Sequence, residues 1–373
     1  MTPAAALLAP VETAIRCEVL TDLEAIERLA PQWEALLERS RCNHAFSSPW
    51  WFLASCRVRA GLLPYLVVAR RGRELAGVLP LGVVAASRTA EFATVLCDYN
   101  DIVAGTADEE VPAALLAFAA SAPQPFEKLL LRRLRLDSTC VRALSRLDHP
   151  GGDGDGGGGG GTGSGGMGQA AGRGWHLFDG RICPYTRLPA SRAAYLATRG
   201  LKLRKGLRNA ASRAARQGVA VRELTPEELP GGALPDAFLR LHGERFGERS
   251  CFRAAGHRRL AAEVLPRLFA GGWLKVFGLL RGSTLLGIDL CPLGPDSLCV
   301  WNGGFTREAA SWSAGKLLIA AEIDCACRLG LAELDLLVGV ESYKLAWTTH
   351  LRGLADLEIT VRKTPAIQSL SPR

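Results

Sequence analysis

The sequence predicts an α/β (α+β) fold built twice over, each copy a mixed, mostly antiparallel twisted sheet flanked by helices. Three observations lead to it. Residues 67–82 read VVARRGRELAGVLPLG and residues 276–294 read VFGLLRGSTLLGIDLCPLG, sharing an Arg-Gly turn, an L-x-G-[VI] strand start and a closing P-L-G. Both stretches fall at the same place in a helix, helix, strand, strand, strand order. Between them lies GGDGDGGGGGGTGSGGMG at residues 151–168, and a chain of 373 residues exceeds one typical domain. The expected division is therefore a first half over residues 1–150, a disordered glycine-rich linker or loop over 151–172, and a second half over 173–373. Glycine on that scale buries too little surface to offset its ordering entropy.

In the first half a short strand at residues 17–20 precedes a helix over 23–38, with Ala25, Ile26, Leu29, Trp33 and Leu36 on one face. The run FSSPWW at residues 46–51 reads as a helix start, with Ser47 or Ser48 as cap and Pro49 in the first turn. Strands follow over 65–70, 74–84 and 91–96, the first two joined by a tight turn at Arg71-Gly72. Asp98, Tyr99, Asn100 and Asp101 then read either as the lining of an acceptor cleft or as solvated polar residues. The next helix, over 111–120, has no glycine-bearing entry.

The second half opens with residues 192–222, which hold many Lys and Arg residues and no Asp or Glu. A helix over 201–217 sets Lys202, Lys205, Arg208, Arg213 and Arg216 over much of its surface, as a phosphate-binding face, a site for an anionic acceptor, or a solvated face. A strand over 219–224 and a helix over 235–246 follow, the latter ending with His242, Glu244 and Arg245. A lone histidine there reads first as a packed side chain. Two more strands, over 273–280 and 284–290, lead to the most informative stretch.

Residues 297–347 read as a strand over 298–305, a polar connection over 306–313, a helix from 314 to Gly330, a buried strand over 333–339 and a second short helix. The helix is entered through Ser313-Ala314-Gly315-Lys316. Its first N–H groups have no partner within the helix, and the dipole adds partial positive charge there, so the end suits a phosphate. Gly315 lets the backbone approach and Lys316 adds a mobile charge. The segment fits neither GxxxxGK[ST] nor GxGxxG, and an ordinary helix start reads alike.

Composition narrows the classes. A formal charge of +8 is compatible with anionic ligands. The first ten residues lack a basic leader, and no apolar run reaches the roughly 18 residues that span a bilayer, so a cytoplasmic protein without a membrane span is expected. The 11 cysteines are scattered, and Cys325-x-Cys327 sets its sulfurs on different helix faces, so reduced thiols and no metal are expected.

With SAGKLL at 313–318, DLLVGVESYKLAW at 335–347, KLRKGLRN at 202–209 and FSSPWW at 46–51 in view, the chain resembles the GNAT acyltransferase superfamily. The likeness is to its CelD-like branch, known from cellulose biosynthesis and related to the Fem-type transferases. The resemblance implies tandem GNAT-like units, the first without the cofactor loop, and acetyl-CoA (acyl-CoA) as co-substrate. Ser313, Ala314, Gly315 and Lys316 would hold its pyrophosphate. The loop departs from [RQ]xxGx[GA], since Ser311, Trp312 and Ser313 stand where further glycine is usual.

Acyl transfer to an amine needs a deprotonated nucleophile, an oxyanion donor and an acid for the leaving thiolate. The resemblance makes Tyr343 that acid. Glu341 is a candidate base or amine-binding carboxylate, Asp335 a weaker one, and Lys344 a phosphate or carboxylate ligand. The bland alternative has Glu341 capping a helix while Tyr343 and Trp347 pack. The expected activity is acyl transfer from acyl-CoA to an amine of a small-molecule or sugar-precursor acceptor, in polysaccharide biosynthesis. Fem-type transfer from aminoacyl-tRNA, or a non-catalytic scaffold of a polysaccharide assembly system, are the alternatives.

Overall fold

The computed structural model describes residues 14–121, 123–147 and 175–361, so the glycine tract expected to be disordered lies outside the described residues. The first half runs β1 (Ile15–Leu20), α1 (Leu23–Glu38), α2 (Pro49–Val58), β2 (Leu62–Arg71), β3 (Glu74–Val84), β4 (Thr89–Phe92) and β5 (Val103–Ala104). It continues with α3 (Glu110–Ala120), β6 (Lys128–Arg135) and α4 (Thr139–Leu147), and β7 (Trp175–Arg187), on the second-half side of the expected division at residue 173, ends this run of elements. The second half opens with α5 (Arg192–Ala197), α6 (Leu201–Arg216), β8 (Val219–Leu224), α7 (Ala233–Phe246), α8 (Ala255–Ala270), β9 (Leu274–Arg281) and β10 (Thr284–Pro292). It closes with β11 (Ser297–Cys299), β12 (Asn302–Phe305), α9 (Arg307–Ala310), α10 (Ala314–Arg328), β13 (Glu333–Asp335), α11 (Ser342–Trp347) and β14 (His350–Thr360). The order β1-α1-α2-β2-β3-β4-α3-β6-α4-β7 returns as β8-α7-α8-β9-β10-β11/β12-α10-β13-α11-β14.

Local chemistry sets several of these boundaries. Asp22 Oδ2 accepts from Ala25 N at 2.7 Å and caps α1, which buries Ile26, Leu29, Trp33, Leu36 and Leu37. Ser48 Oγ accepts from Trp51 N at 3.1 Å and Pro49 occupies the first turn of α2. Gly72, at φ 58°, closes the β2–β3 hairpin in a conformation that costs glycine least.

The fold is mixed α/β, as predicted, with its strands gathered into two sheets. The larger has ten strands in the order β1-β2-β3-β4-β6-β14-β7-β13-β11, with β5 on β3. The smaller has the order β12-β10-β9-β8. The C-terminal strand β14 lies between β6 and β7 and is antiparallel to both. Each half is thus completed by a strand that the other half borders.

Three strand expectations change. The run over 298–305 is two strands, because Val300 N donates to Asp335 O at 2.8 Å and Trp301 N to Leu290 O at 3.1 Å, so the chain changes partner between them. The run over 333–339 keeps ladder form only to Asp335, since Leu337 at φ 57° and Gly339 at φ 118° turn it out of the strand. The strand over 91–96 begins at Thr89 and ends at Phe92, with Leu96 at φ 56° in the loop beyond. Strands β6, β7 and β14 and helix α8 had no counterpart in the sequence reading.

An aromatic cluster joins the halves. Trp301 meets Trp51 edge-on at 5.3 Å between ring centroids and Phe252 at 6.1 Å, while Phe46 and Trp51 lie 5.0 Å apart. Trp51 Nε1 donates to Val95 O at 2.9 Å and Trp301 Nε1 to Leu96 O at 3.0 Å. Two indoles, one from each half, therefore grip the loop after β4.

Candidate functional site

The site begins where two parallel strands part. Ser297, Leu298 and Cys299 pair with Glu333, Leu334 and Asp335. Beyond them β12 stays with β10, while Leu336 N and Gly339 N donate to Pro184 O and Ile182 O at 2.9 and 3.0 Å and follow β7. A wedge opens between β12 and residues 336–339. Thr306 N donates to Leu286 O at 2.9 Å, so alternation along the antiparallel ladder turns the backbone groups of Gly303 and Phe305 toward the wedge.

Only glycine fits at two positions of this edge. A Cβ on Gly303 would lie 1.6 Å from Asp289 Oδ1, and one on Gly304 would lie 2.3 Å from His242 N. Arg245 closes the outer rim, donating to Gly303 O at 3.5 Å with its guanidinium 4.5 Å from the Phe305 ring centroid.

Helix α10 starts at the mouth of the wedge. Its N-cap Ser313 is left-handed at φ 59° and makes no side-chain cap, and its first turn holds no acid. A Cβ on Gly315 would meet nothing within 4 Å, so this face is open. Lys316 is exposed, with Nζ 3.5 Å from where a Cβ on Gly206 would stand, which sets α6 alongside. Buried Trp312 fixes the loop, its Nε1 donating to Gln217 Oε1 at 2.9 Å just past α6. Helix α6 buries Leu207, Ala210 and Ala214 and leaves Lys202, Arg204, Lys205, Arg208, Arg213 and Arg216 exposed. Ser313, Ala314, Gly315 and Lys316 are thus brought together beside a basic surface.

The other predicted residues stand across the wedge. Glu341 is exposed at the start of α11 and lies 3.3 Å from Lys344 Nζ, which is buried and donates to Val338 O at 2.7 Å. Gly339 suits this turn because its backbone sits at φ 118°, which a side chain rarely adopts. The Tyr343 side chain is half exposed, and partial burial, together with Glu341, pushes its phenol up to about 12 against the pull of Arg245. Asp335 lies apart from these, fully buried. It accepts from Tyr99 Oη at 2.6 Å, Arg352 Nη1 at 2.6 Å and Leu337 N at 2.8 Å, and burial raises its pKa against the opposing Arg352.

Sequence reasoning missed a buried acidic pair beneath the wedge. Asp289 on β10 and Glu322 on α10 are buried facing each other, and burial pushes Asp289 up to about 6 and Glu322 well above its ordinary range. Among the described residues neither Glu322 oxygen has a hydrogen-bond partner. Two such carboxyls hold one proton between them more stably than none. The lone acid of TLLGIDLCP, and Glu322 on the apolar side of a helix whose other acid, Asp324, faces outward, were the available signal. His242 is buried against Phe238, Phe246 and Phe252, pairs with Ser250 Oγ at 2.9 Å, and is pushed down to about 4 by burial, so it stays neutral.

Among the described residues no group of three or more His, Cys, Asp and Glu side chains could hold a metal ion, and no helix is long and apolar enough to cross a membrane.

Residues 202–345 match the family model described as acetyltransferase (GNAT) domain. No curated protein sequence matches the chain. Among solved structures, the chain is similar to FemX, with 11% identity over 88% of this chain and 95% of that one and a TM-score of 0.58. It is also similar to the DUF2156 domain of a protein described as a lysylphosphatidylglycerol synthetase from Agrobacterium fabrum, at 12% identity over 90% and 92% with a TM-score of 0.56. A third likeness is to L-PGS from Bacillus licheniformis, at 10% identity over 88% and 90% with a TM-score of 0.54. At these identities the likeness is one of fold, an acyltransferase-type fold whose GNAT-matching part holds the wedge.

Proposed function

We propose that the second half transfers an acyl group from acyl-coenzyme A, acetyl-coenzyme A in the first instance, to an amine of a small-molecule or sugar-precursor acceptor. One observation supports this above the rest: a helix start without a side-chain cap, flanked by Lys316 and a basic helix, opens onto a strand edge whose Gly303 and Phe305 backbone groups turn away from β10. The helix start takes the pyrophosphate and the edge of β12 takes the amide-bearing arm. In the transfer the carbon–nitrogen bond forms and the carbon–sulfur bond breaks. The ammonium proton passes to the Asp289–Glu322 pair before attack, and as the adduct collapses Tyr343, kept protonated by its raised pKa, gives its proton to the thiolate and takes the second nitrogen proton in return. Glu341 with Lys344 flanks the acceptor, and Asp335 positions Tyr99 and Arg352.

Calorimetric titration of acetyl-coenzyme A into the wild type and into Gly315→Asp and Lys316→Ala tests the reading. Saturable binding that is lost in Gly315→Asp and weakened about tenfold in Lys316→Ala is expected, one charged contact being worth about that much. A folded wild type that binds none overturns it.

Transfer from aminoacyl-tRNA is the second reading, favoured by α6. Its six exposed cations extend over roughly 21 Å of helix, longer than a pyrophosphate needs. Binding of tRNA that falls steeply with salt, and less steeply in Lys205→Ala/Arg208→Ala, would favour it. A scaffold without catalysis would keep its biological role in Tyr343→Phe.

A further inference from the structure

The first half has a parting of strands of its own. Thr89, Ala90 and Glu91 of β4 pair in parallel with Lys128, Leu129 and Leu130 of β6, and the ladder stops there. Just beyond the last rung lies a cavity of about 200 Å³, lined among others by Arg59, Glu91, Thr94, Asn100, Arg132 and Arg133. The counterpart wedge in the second half opens at the corresponding point, after β11 and β13.

Two adjacent residues of one strand ordinarily point to opposite faces. Here a bulge brings both to one cavity. Leu134 pairs with Ala355 and Leu131 with Leu357, so Arg132 and Arg133 oppose the single residue Asp356. Arg133 is left-handed at φ 63°, a costly conformation for a non-glycine residue, and is held there by its N–H donating to Asp356 Oδ1 at 2.9 Å. The strain re-aims a guanidinium. Arg59 pairs with Glu91, and Arg133 donates to Cys97 O and lies 3.8 Å from Asp98 Oδ1. Arg132 is exposed and makes no ion pair among the described residues. Thr94 Oγ1 donates to Asn100 Oδ1 at 3.0 Å, and Asn100 Nδ2 donates to Arg132 O at 3.0 Å, which fixes the wall.

We propose that this cavity binds a small oxyanion, a phosphate or carboxylate group, between Arg132 and Arg133. Forked guanidiniums match such groups in pairs. The proposal stands independently of the donor assigned to the second half.

Two measurements test it together. Crystals of the full chain soaked in tungstate, a tetrahedral phosphate mimic, are expected to show anomalous density within hydrogen-bond reach of Arg132 and Arg133. In solution at constant ionic strength, inorganic phosphate is expected to bind about tenfold more weakly to Arg132→Gln, with Arg132→Lys in between. Acetate in place of phosphate separates a carboxylate-selective pocket from a phosphate-selective one. Density only at the start of α10, equal phosphate affinity in Arg132→Gln, or no saturable binding of either anion overturns the proposal. Arg132 is exposed, so its replacement leaves the fold intact, and far-ultraviolet circular dichroism checks that.

Discussion

Helices α3 and α10 occupy matching places, each the first long helix after the strand that parts from its parallel neighbour, yet their starts are opposites. At α3 Asp108 Oδ1 accepts from Val111 N at 3.0 Å, and Arg71 binds both Asp108 and, at 3.1 Å, Glu110. That start is capped from within and ringed by acid, leaving no positive field for a ligand. At α10 no side chain caps the helix and the only charge in the first turn is Lys316. The same place in the element order carries a closed structural joint in one half and, in the other, the exposed helix start on which the proposed donor site rests. The guanidiniums of the first half sit instead at the strand parting itself.

The sharpest way to break this comparison is at the joint between the halves. Asp335→Ala takes the partner from Arg352 and Tyr99, and breaking a buried pair costs about 3–5 kcal/mol. A urea unfolding curve shifted by less than about 1 kcal/mol would mean that the halves do not depend on this network. Next, Gly304→Ala drives a Cβ into the backbone of α7 and is expected to cost about 3 kcal/mol, whereas Gly315→Ala, in open space, is expected to leave the unfolding midpoint unchanged. Equal costs would contradict the close approach of α7 to β12. Asp108→Ala removes the cap of α3 and is expected to cost about 1 kcal/mol, with no gain of acetyl-coenzyme A binding because Glu109 and Glu110 remain.

The smallest effect lies in the pH dependence of stability. Burial raises both Asp289 and Glu322, so between their unfolded values and about 6 the folded chain binds more protons than the unfolded one. The pair's contribution to stability is then greatest at the acid end and falls as pH rises through about 6, by on the order of 1 kcal/mol per pH unit for each proton. Glu322→Gln is expected to flatten that slope in melting curves between pH 4 and 7. An unchanged slope would remove the pair as a proton holder.

How much of this was legible depended on how local the cause was. The cap at Ser48, the Arg71-Gly72 turn and the entry at Ser313 are written in a few adjacent residues, and the helices and strands they bound were read within a few positions. Strand β14 was not, because HLRGLADLEIT alternates poorly and takes its shape from β6 and β7, whose partners are more than 160 residues away in sequence. The break at Val300–Trp301 was equally hidden, since an unbroken apolar run gives no sign that its hydrogen-bond partner changes. Site residues sorted the same way. Tyr343, Glu341 and Lys344 came from a contiguous motif, whereas Asp289 and Glu322 meet only when a strand and a helix are stacked.

The interleaving of β14 between β6 and β7 has a consequence for synthesis. Residues of the first half emerge from the ribosome with the edge of β6 unpaired, and its neighbour arrives more than 200 residues later. At usual translation speeds that edge waits roughly 10–40 s, a long interval for a strand edge, the kind of surface that recruits other chains. The sequence KLLLRRLR places three basic residues after its apolar start, and such charges discourage edge-to-edge joining. The arginines that line a pocket in the finished protein thus also guard the nascent one.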